Sequence, residues 1–136
     1  MSPRELAEGA VRTLLSELVV DLATLDDIAA RVIDARIIET ERRAHARACA
    51  YLALELHRYY SALETIFERV ARQLDGRMPG GNDWHKALLT QAGLSIDELR
   101  PALVSREVAA DLGALLSFRH FLRRDRIALL TRRLSA

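Results

Sequence analysis

Apolar residues recur every three or four positions along most of the first 75 residues, and no glycine or proline occurs between Gly9 and Gly76. This spacing, in a stretch rich in alanine, leucine, arginine and glutamate, is typical of helices that bury one face. Two such stripes follow one another, formed by Val11, Leu15, Leu18, Leu22, Leu25, Ala29 and Val32, and then by Leu56, Tyr60, Leu63, Phe67, Val70 and Leu74.

The first stripe breaks over residues 37–43, where charged residues cluster. A compact domain cannot use one straight helix of the whole length, so we place a turn there. The sequence therefore predicts two long antiparallel helices joined as a helical hairpin.

Glycine and proline then mark a loop over residues 75–82. Gly76 suits the position that follows a helix, where a left-handed conformation is common. Asn82 or Asp83 can cap the start of a short helix over residues 84–91.

The last third of the chain continues this helical pattern. Residues 93–104 are predicted to form a connection with one helical turn at 96–99, because Pro101 limits regular helix there. Ser105 can cap a further helix, and residues 127–134 can add a short amphipathic one. The predicted fold is one all-α domain, residues 1–136, in which four or five helices form a bundle.

Composition excludes several classes of protein. The chain has 136 residues, of which 50% are hydrophobic and 29% charged, so it is neither a membrane protein nor disordered. The start of the chain lacks the apolar stretch of a signal peptide. Cys49 is the only cysteine, which fits a reducing cytoplasmic setting. The histidines and Cys49 show no metal-ligand spacing, and we expect no cofactor.

Charge is distributed unevenly although the net charge is only +1. Residues 14–41 contain seven acids and two arginines, a net charge of −5, whereas residues 117–136 contain six arginines and one aspartate, a net charge of +5. The basic segment is either a phosphate-binding groove or a solvated helix end, where cations are favourable. The acidic first helix could also pair with it, within one chain or across a dimer.

Several short segments between residues 57 and 134 together resemble a known family. They read HRYYSALETIFERVA at 57–71, LDG at 74–76, DWHKALL at 83–89, RP at 100–101, VS at 104–105 and FRHFLR at 118–123. Their order and spacing are similar to those of the HepT-like ribonuclease toxins of the HEPN superfamily. The resemblance covers a little over half of the chain, and the leading helix fits in type only.

The resemblance implies a HEPN-like helical bundle that forms a homodimer. It also implies a metal-independent ribonuclease site at the dimer seam, built on an Arg-x4-6-His motif that is usually followed by x-Tyr. Such toxins are typically encoded with a nucleotidyltransferase-type antitoxin, which can modify the tyrosine. Histidine suits the proton transfers of RNA cleavage near neutral pH, and arginine stabilises negative charge on the phosphate.

This chain departs from the motif. Arg119 aligns with the motif arginine, but Arg124 and Arg126 stand where the family has histidine and tyrosine. Arginine stays protonated and cannot exchange protons as imidazole does. We therefore expect weak or lost cleavage, with RNA binding by Arg119, Arg123, Arg124 and Arg126.

Two alternatives remain open. His120 could replace the missing histidine, so that Arg119 and His120 form an active ribonuclease site. The chain could instead be a non-catalytic helical partner of a nucleotidyltransferase. Trp84 and His85 are expected to be structural, with Trp84 packing the short helix against the long pair.

Overall fold

The computed structural model describes residues 1–42 and 46–121. In chain order, its elements are helix α1 (Pro3–Arg42), helix α2 (Ala46–Val70), a π-helical segment (Ala71–Asp75), helix α3 (Trp84–Ala92) and helix α4 (Arg106–Phe121). No β-strand occurs in the described residues, and the predicted all-α bundle with two long helices is confirmed.

Helices α1 and α2 form the predicted antiparallel hairpin. Arg69, near the end of α2, bonds to Glu17 and Asp21 in the first half of α1, and its Nε lies 2.6 Å from Asp21 Oδ2. Towards the other end, Arg31 of α1 donates to the buried Glu55 of α2 over 3.2 Å. The turn between the two helices was predicted over residues 37–43. Helix α1 instead continues to Arg42, and residues 43–45 lie outside the described part of the chain.

The second apolar stripe is buried as predicted, whereas the first is buried in a different register. Tyr60, Phe67 and Val70 are at most 3% exposed. On α1, by contrast, the predicted Val11, Leu15 and Leu22 are 47%, 56% and 50% exposed. The residues that are buried on α1 instead include Leu14, Ile28 and Ala35. The predicted register of α1 is therefore wrong in part, because apolar residues occupy more than one face of this helix.

The exposed face of α1 carries large apolar residues along much of its length. Six of them share one side of the helix at 3.6 residues per turn, namely Val11, Leu15, Val19, Leu22, Ile33 and Ile37, and all six are more than 40% exposed. Leu6 and Val20 are equally exposed but lie on other sides of the helix. Charged residues interrupt this face, and among the described helices none is long and apolar enough to cross a membrane.

The main core lies where α3 and α4 pack against the C-terminal half of α2. Tyr60 and Phe67 of α2 meet Leu88 of α3 and Leu112 and Leu116 of α4, all of them buried. This arrangement brings the end of α4 against the middle of α2, which determines the surroundings of residues 119 and 120.

The predicted helix boundaries are close to those observed. Gly76 follows the π-helical segment with a left-handed φ of 71°, as expected for this position. Asp83 precedes α3 but makes no side-chain capping bond. Ser105 caps α4, because its Oγ accepts a hydrogen bond from the backbone nitrogen of Val108 over 3.2 Å. The predicted helix over residues 127–134 lies outside the described residues.

The connection between α3 and α4 forms a tight turn where a helical turn was expected. Ile96 and Arg100 exchange two backbone hydrogen bonds, and Glu98 between them has a positive φ of 58°. The Arg100 guanidinium donates to both carboxylate oxygens of Asp75, from Nε over 2.7 Å and from Nη2 over 2.8 Å. Both side chains are at least 96% buried, so this pair holds the connection against the end of the π-helical segment.

Candidate functional site

The two candidate catalytic residues lie at the end of α4 and have different surroundings. Arg119 is 6% exposed, whereas His120 is exposed. The other three predicted phosphate-binding residues, Arg123, Arg124 and Arg126, lie outside the described part of the chain. The structure therefore places Arg119 inside the bundle and His120 at its surface.

Arg119 is bound to a carboxylate inside the protein. Its Nη1 donates to Oε1 of Glu64 over 2.6 Å, and Glu64 is itself only 5% exposed. The guanidinium carbon lies 5.4 Å from the centre of the Tyr60 ring, within the range of a cation–π contact. The buried Nε of Arg119 has no hydrogen-bond partner in the described part of the chain.

Glu64 also bonds to His85, for which the sequence predicts only a structural role. The other carboxylate oxygen, Oε2, lies 2.5 Å from Nδ1 of His85. An ionised carboxylate only accepts hydrogen bonds, so with Glu64 ionised Nδ1 is the donor, and Nε2 is the ring nitrogen left to contact a ligand. One carboxylate on α2 thus joins α3 and α4 through His85 and Arg119.

Tyr60 belongs to the same buried cluster. Burial, and secondly the negative charge of Glu64, raise the pKa of Tyr60 to about 12, although Arg119 acts in the opposite direction. Its hydroxyl has no hydrogen-bond partner among the described residues. Tyr60 therefore contributes an apolar ring beneath the ion pair, and its hydroxyl stays protonated at neutral pH.

A cleft of about 590 Å³ opens between α3 and α4 beside this cluster. His85 and His120 both line it, with their ring centroids 5.6 Å apart and their planes near perpendicular. Lys86 adds a positive charge, and Asp83 adds a negative one. The Trp84 ring lies against His85 at a centroid distance of 3.5 Å, so the packing role expected for Trp84 includes holding this imidazole.

The side chains around the cleft suit acid–base chemistry. Imidazole exchanges protons near neutral pH, and a carboxylate on one ring nitrogen fixes the orientation of the other. Within the described residues, no group of three or more histidine, cysteine, aspartate or glutamate side chains is placed to hold a metal ion. The cleft therefore offers two imidazoles and an ammonium group to an anionic ligand.

Sequence reasoning missed Glu64 and His85 as members of the site. The signal that could have revealed Glu64 is its place on the buried side of α2, beside Leu63 and Phe67, where an acid needs a partner. Nothing in the local sequence identified that partner, since His85 and Arg119 are 21 and 55 residues away.

Comparison with known proteins identifies a family for the C-terminal part of the chain. Residues 51–132 match the family described as HepT-like protein. The matched segment begins in α2 and extends past α4, so α1 lies outside it. Searches of curated proteins and of solved structures found no match. Because the matched segment covers more than half of the chain, this protein belongs to the HepT-like family of the HEPN superfamily.

Proposed function

We propose that this chain is a HepT-like toxin homologue of a toxin–antitoxin module, directed at RNA, with weak or lost endoribonuclease activity. The family motif needs a histidine to exchange protons, and Arg124 stands at that position here. Arg126 stands at the position of the tyrosine that an antitoxin can modify. A chain that cleaves RNA poorly has less need of such neutralisation.

The observation that carries this proposal is the burial of Arg119. In cleavage of RNA, the motif arginine has to approach a phosphate that is gaining negative charge. Here its guanidinium is 6% exposed and bonds to Glu64 over 2.6 Å. An arginine already neutralised inside the protein gives little stabilisation to an external phosphate, which supports reduced activity.

RNA binding is proposed from charge and is independent of cleavage. Residues 117–136 carry a net charge of +5, with Arg123, Arg124 and Arg126 among them. Attraction to phosphates requires positive charge and no proton transfer, and it weakens as salt increases because counterions are released. Binding should therefore persist in a chain that has lost cleavage.

The partners proposed are a second copy of this chain and a nucleotidyltransferase-type antitoxin. The exposed face of α1, with Leu15, Val19 and Leu22 at 56%, 67% and 50% exposure, supports a protein interface. A group of large apolar side chains exposed on one face commonly marks a protein contact. We assign this face to the homodimer.

The test is incubation of mixed RNA with the purified chain in EDTA, together with an RNA-binding titration at increasing salt. We expect little or no cleavage and salt-sensitive binding. The Arg124→His, Arg126→Tyr double variant should gain cleavage if the motif is placed correctly. If the double variant is folded and still inactive, the placement of the motif is wrong.

A non-catalytic role beside a nucleotidyltransferase is the second candidate, favoured by the same exposed face of α1. It predicts neither cleavage nor RNA binding by the purified chain. Co-purification with a nucleotidyltransferase from the source cells would then support it, and substitution of Val19 by glutamate should weaken that association.

A further inference from the structure

We propose that this chain retains weak RNA cleavage, which takes place in the cleft between α3 and α4 with His85 and His120 as the acid–base pair. In this assignment Glu64 is a positioning residue. The inference rests on the proposed function for its substrate class, single-stranded RNA. It differs from the family motif because His85 takes the place of the motif histidine, and Arg119 acts only through Glu64.

The first step of the argument is the orientation of His85. Its Nδ1 is 2.5 Å from Glu64 Oε2, and its ring lies 3.5 Å from the Trp84 ring. The side chain is 14% exposed and lines the cleft. A ring held on one nitrogen and on one face is pre-oriented, which is what a general base requires.

The second step is the distance to His120. The two ring centroids are 5.6 Å apart, and both residues line the same cleft. At this separation each ring can form a hydrogen bond to a different oxygen of one phosphodiester group. One ring is therefore able to accept a proton while the other donates one.

The third step is the charge around the pair. From α3, Lys86 and the preceding Asp83 line the cleft, and from α2 and α4, Glu64 and Arg119 lie behind His85. Arg119 neutralises Glu64, so the buried carboxylate does not repel an incoming phosphate. Lys86 supplies a positive charge at the cleft that offsets Asp83, so these two side chains present no net negative charge to an anionic ligand.

The reaction proceeds without a co-reactant. His85 Nε2 takes the proton of the ribose 2′-hydroxyl, and the 2′-oxygen forms a bond to the adjacent phosphorus. The bond from phosphorus to the 5′-oxygen breaks, and protonated His120 donates a proton to that oxygen. The products are a 2′,3′-cyclic phosphate and a 5′-hydroxyl. Proton exchange with water restores both imidazoles.

The experiment measures cleavage of a labelled single-stranded RNA in EDTA, and binding of the same RNA, across a range of pH. The variants are His85→Gln, His120→Gln and Glu64→Gln. The matched control is His57→Gln, because His57 lies on α2 and does not line the cleft. A single-stranded DNA of the corresponding sequence tests the need for the 2′-hydroxyl.

We expect a bell-shaped pH–rate profile, and a rate loss of about 100-fold or more in each cleft histidine variant, the usual size of a general acid or base contribution. RNA affinity should change far less than the rate, because the arginines of residues 117–136 are proposed to supply most of the attraction to phosphates, and His57→Gln should match the parent chain. In Glu64→Gln, kcat should fall with KM little changed, because an amide orients the His85 ring less firmly than a carboxylate. A purely structural role of Glu64 would lower the free energy of unfolding without this split between kcat and KM.

Three results overturn the inference. The first is cleavage that persists in folded His85→Gln or His120→Gln. The second is a parent chain that binds RNA without cleaving it, which contradicts the acid–base pair but leaves the proposed function intact. The third is a chain that neither binds nor cleaves RNA, which contradicts both proposals.

Discussion

Replacing Arg119 by methionine should reduce the free energy of unfolding strongly, because Arg119 neutralises a buried carboxylate. The side chains of Arg119 and Glu64 are each 7% exposed, and the nitrogen–oxygen distance is 2.6 Å. At an effective dielectric constant of about 20, such a pair attracts by roughly 6 kcal/mol. Both ions lost their hydration on folding, so the cost of removing one partner is smaller, about 3–5 kcal/mol.

The cost is large compared with the stability of a typical domain, about 5–15 kcal/mol. Urea unfolding followed by helical circular dichroism, at one fixed protein concentration, measures it. Arg106→Met is the matched control, because Arg106 is exposed on the same helix; this change should cost less than about 0.5 kcal/mol. The double variant Glu64→Gln, Arg119→Met should recover much of the loss, since the amide removes the charge and keeps an acceptor for His85.

The cycle of single and double variants gives the coupling between the two side chains, which should exceed about 1.5 kcal/mol. If Arg119→Met costs as little as Arg106→Met, the guanidinium is not held by Glu64. Arg119 would then be available to a phosphate, and the argument for reduced ribonuclease activity would fail.

Three further predictions concern stability and assembly. Arg100→Met should cost about 3–5 kcal/mol in urea unfolding, because it strands the buried Asp75. Hydrogen bonding by Arg100 lowers the pKa of Asp75, so this contribution is present above the unfolded pKa of about 3.9 and is lost as pH falls through the folded value. Tyr60→Phe should change stability by less than about 1 kcal/mol, since the hydroxyl has no partner among the described residues. Val19→Glu should convert a homodimer to monomer in sedimentation, because it puts a charge on the exposed face of α1.

Arg4→Met is the control for Arg100→Met. Arg4→Met removes an exposed pair with Glu8, whose side chains are 90% and 57% exposed, and should have almost no effect. If Arg4→Met and Arg100→Met lower the free energy of unfolding equally, the prediction for Arg100 is contradicted. In alkaline titration, one tyrosine should ionise only near pH 12, and this late step should be absent from Tyr60→Phe. A parent chain that sediments as a monomer would contradict the assignment of the α1 face.

The helices could be predicted because their determinants are local. Spacing of three or four between apolar residues, and a stretch without glycine or proline from Gly9 to Gly76, indicate two long helices. The register of α1 could not be predicted in the same way. Leu14 and Leu15 are both apolar, yet one is 4% exposed and the other 56%. The choice between them depends on where α2 packs, which the sequence of α1 does not contain.

The site was predictable only in part for a similar reason. Arg119 and His120 were found through the family resemblance, which identifies residues by their order along the chain. Their roles depend on contacts across the bundle, and Glu64 reaches Arg119 over 55 residues of sequence. Sequence reasoning therefore assigned Arg119 to an external phosphate, whereas its guanidinium is paired with Glu64 inside the bundle.

This pairing decides which variants can report on chemistry. A loss of cleavage in Arg119→Ala would combine the loss of a buried charge with displacement of Glu64, and hence of His85 at the cleft. The same result would follow whether or not Arg119 contacts RNA. His120 is exposed and is not a member of the buried ion pair between Arg119 and Glu64. His120→Gln, with stability measured on the same sample, therefore separates a chemical role from a structural one, and Arg119 variants do not.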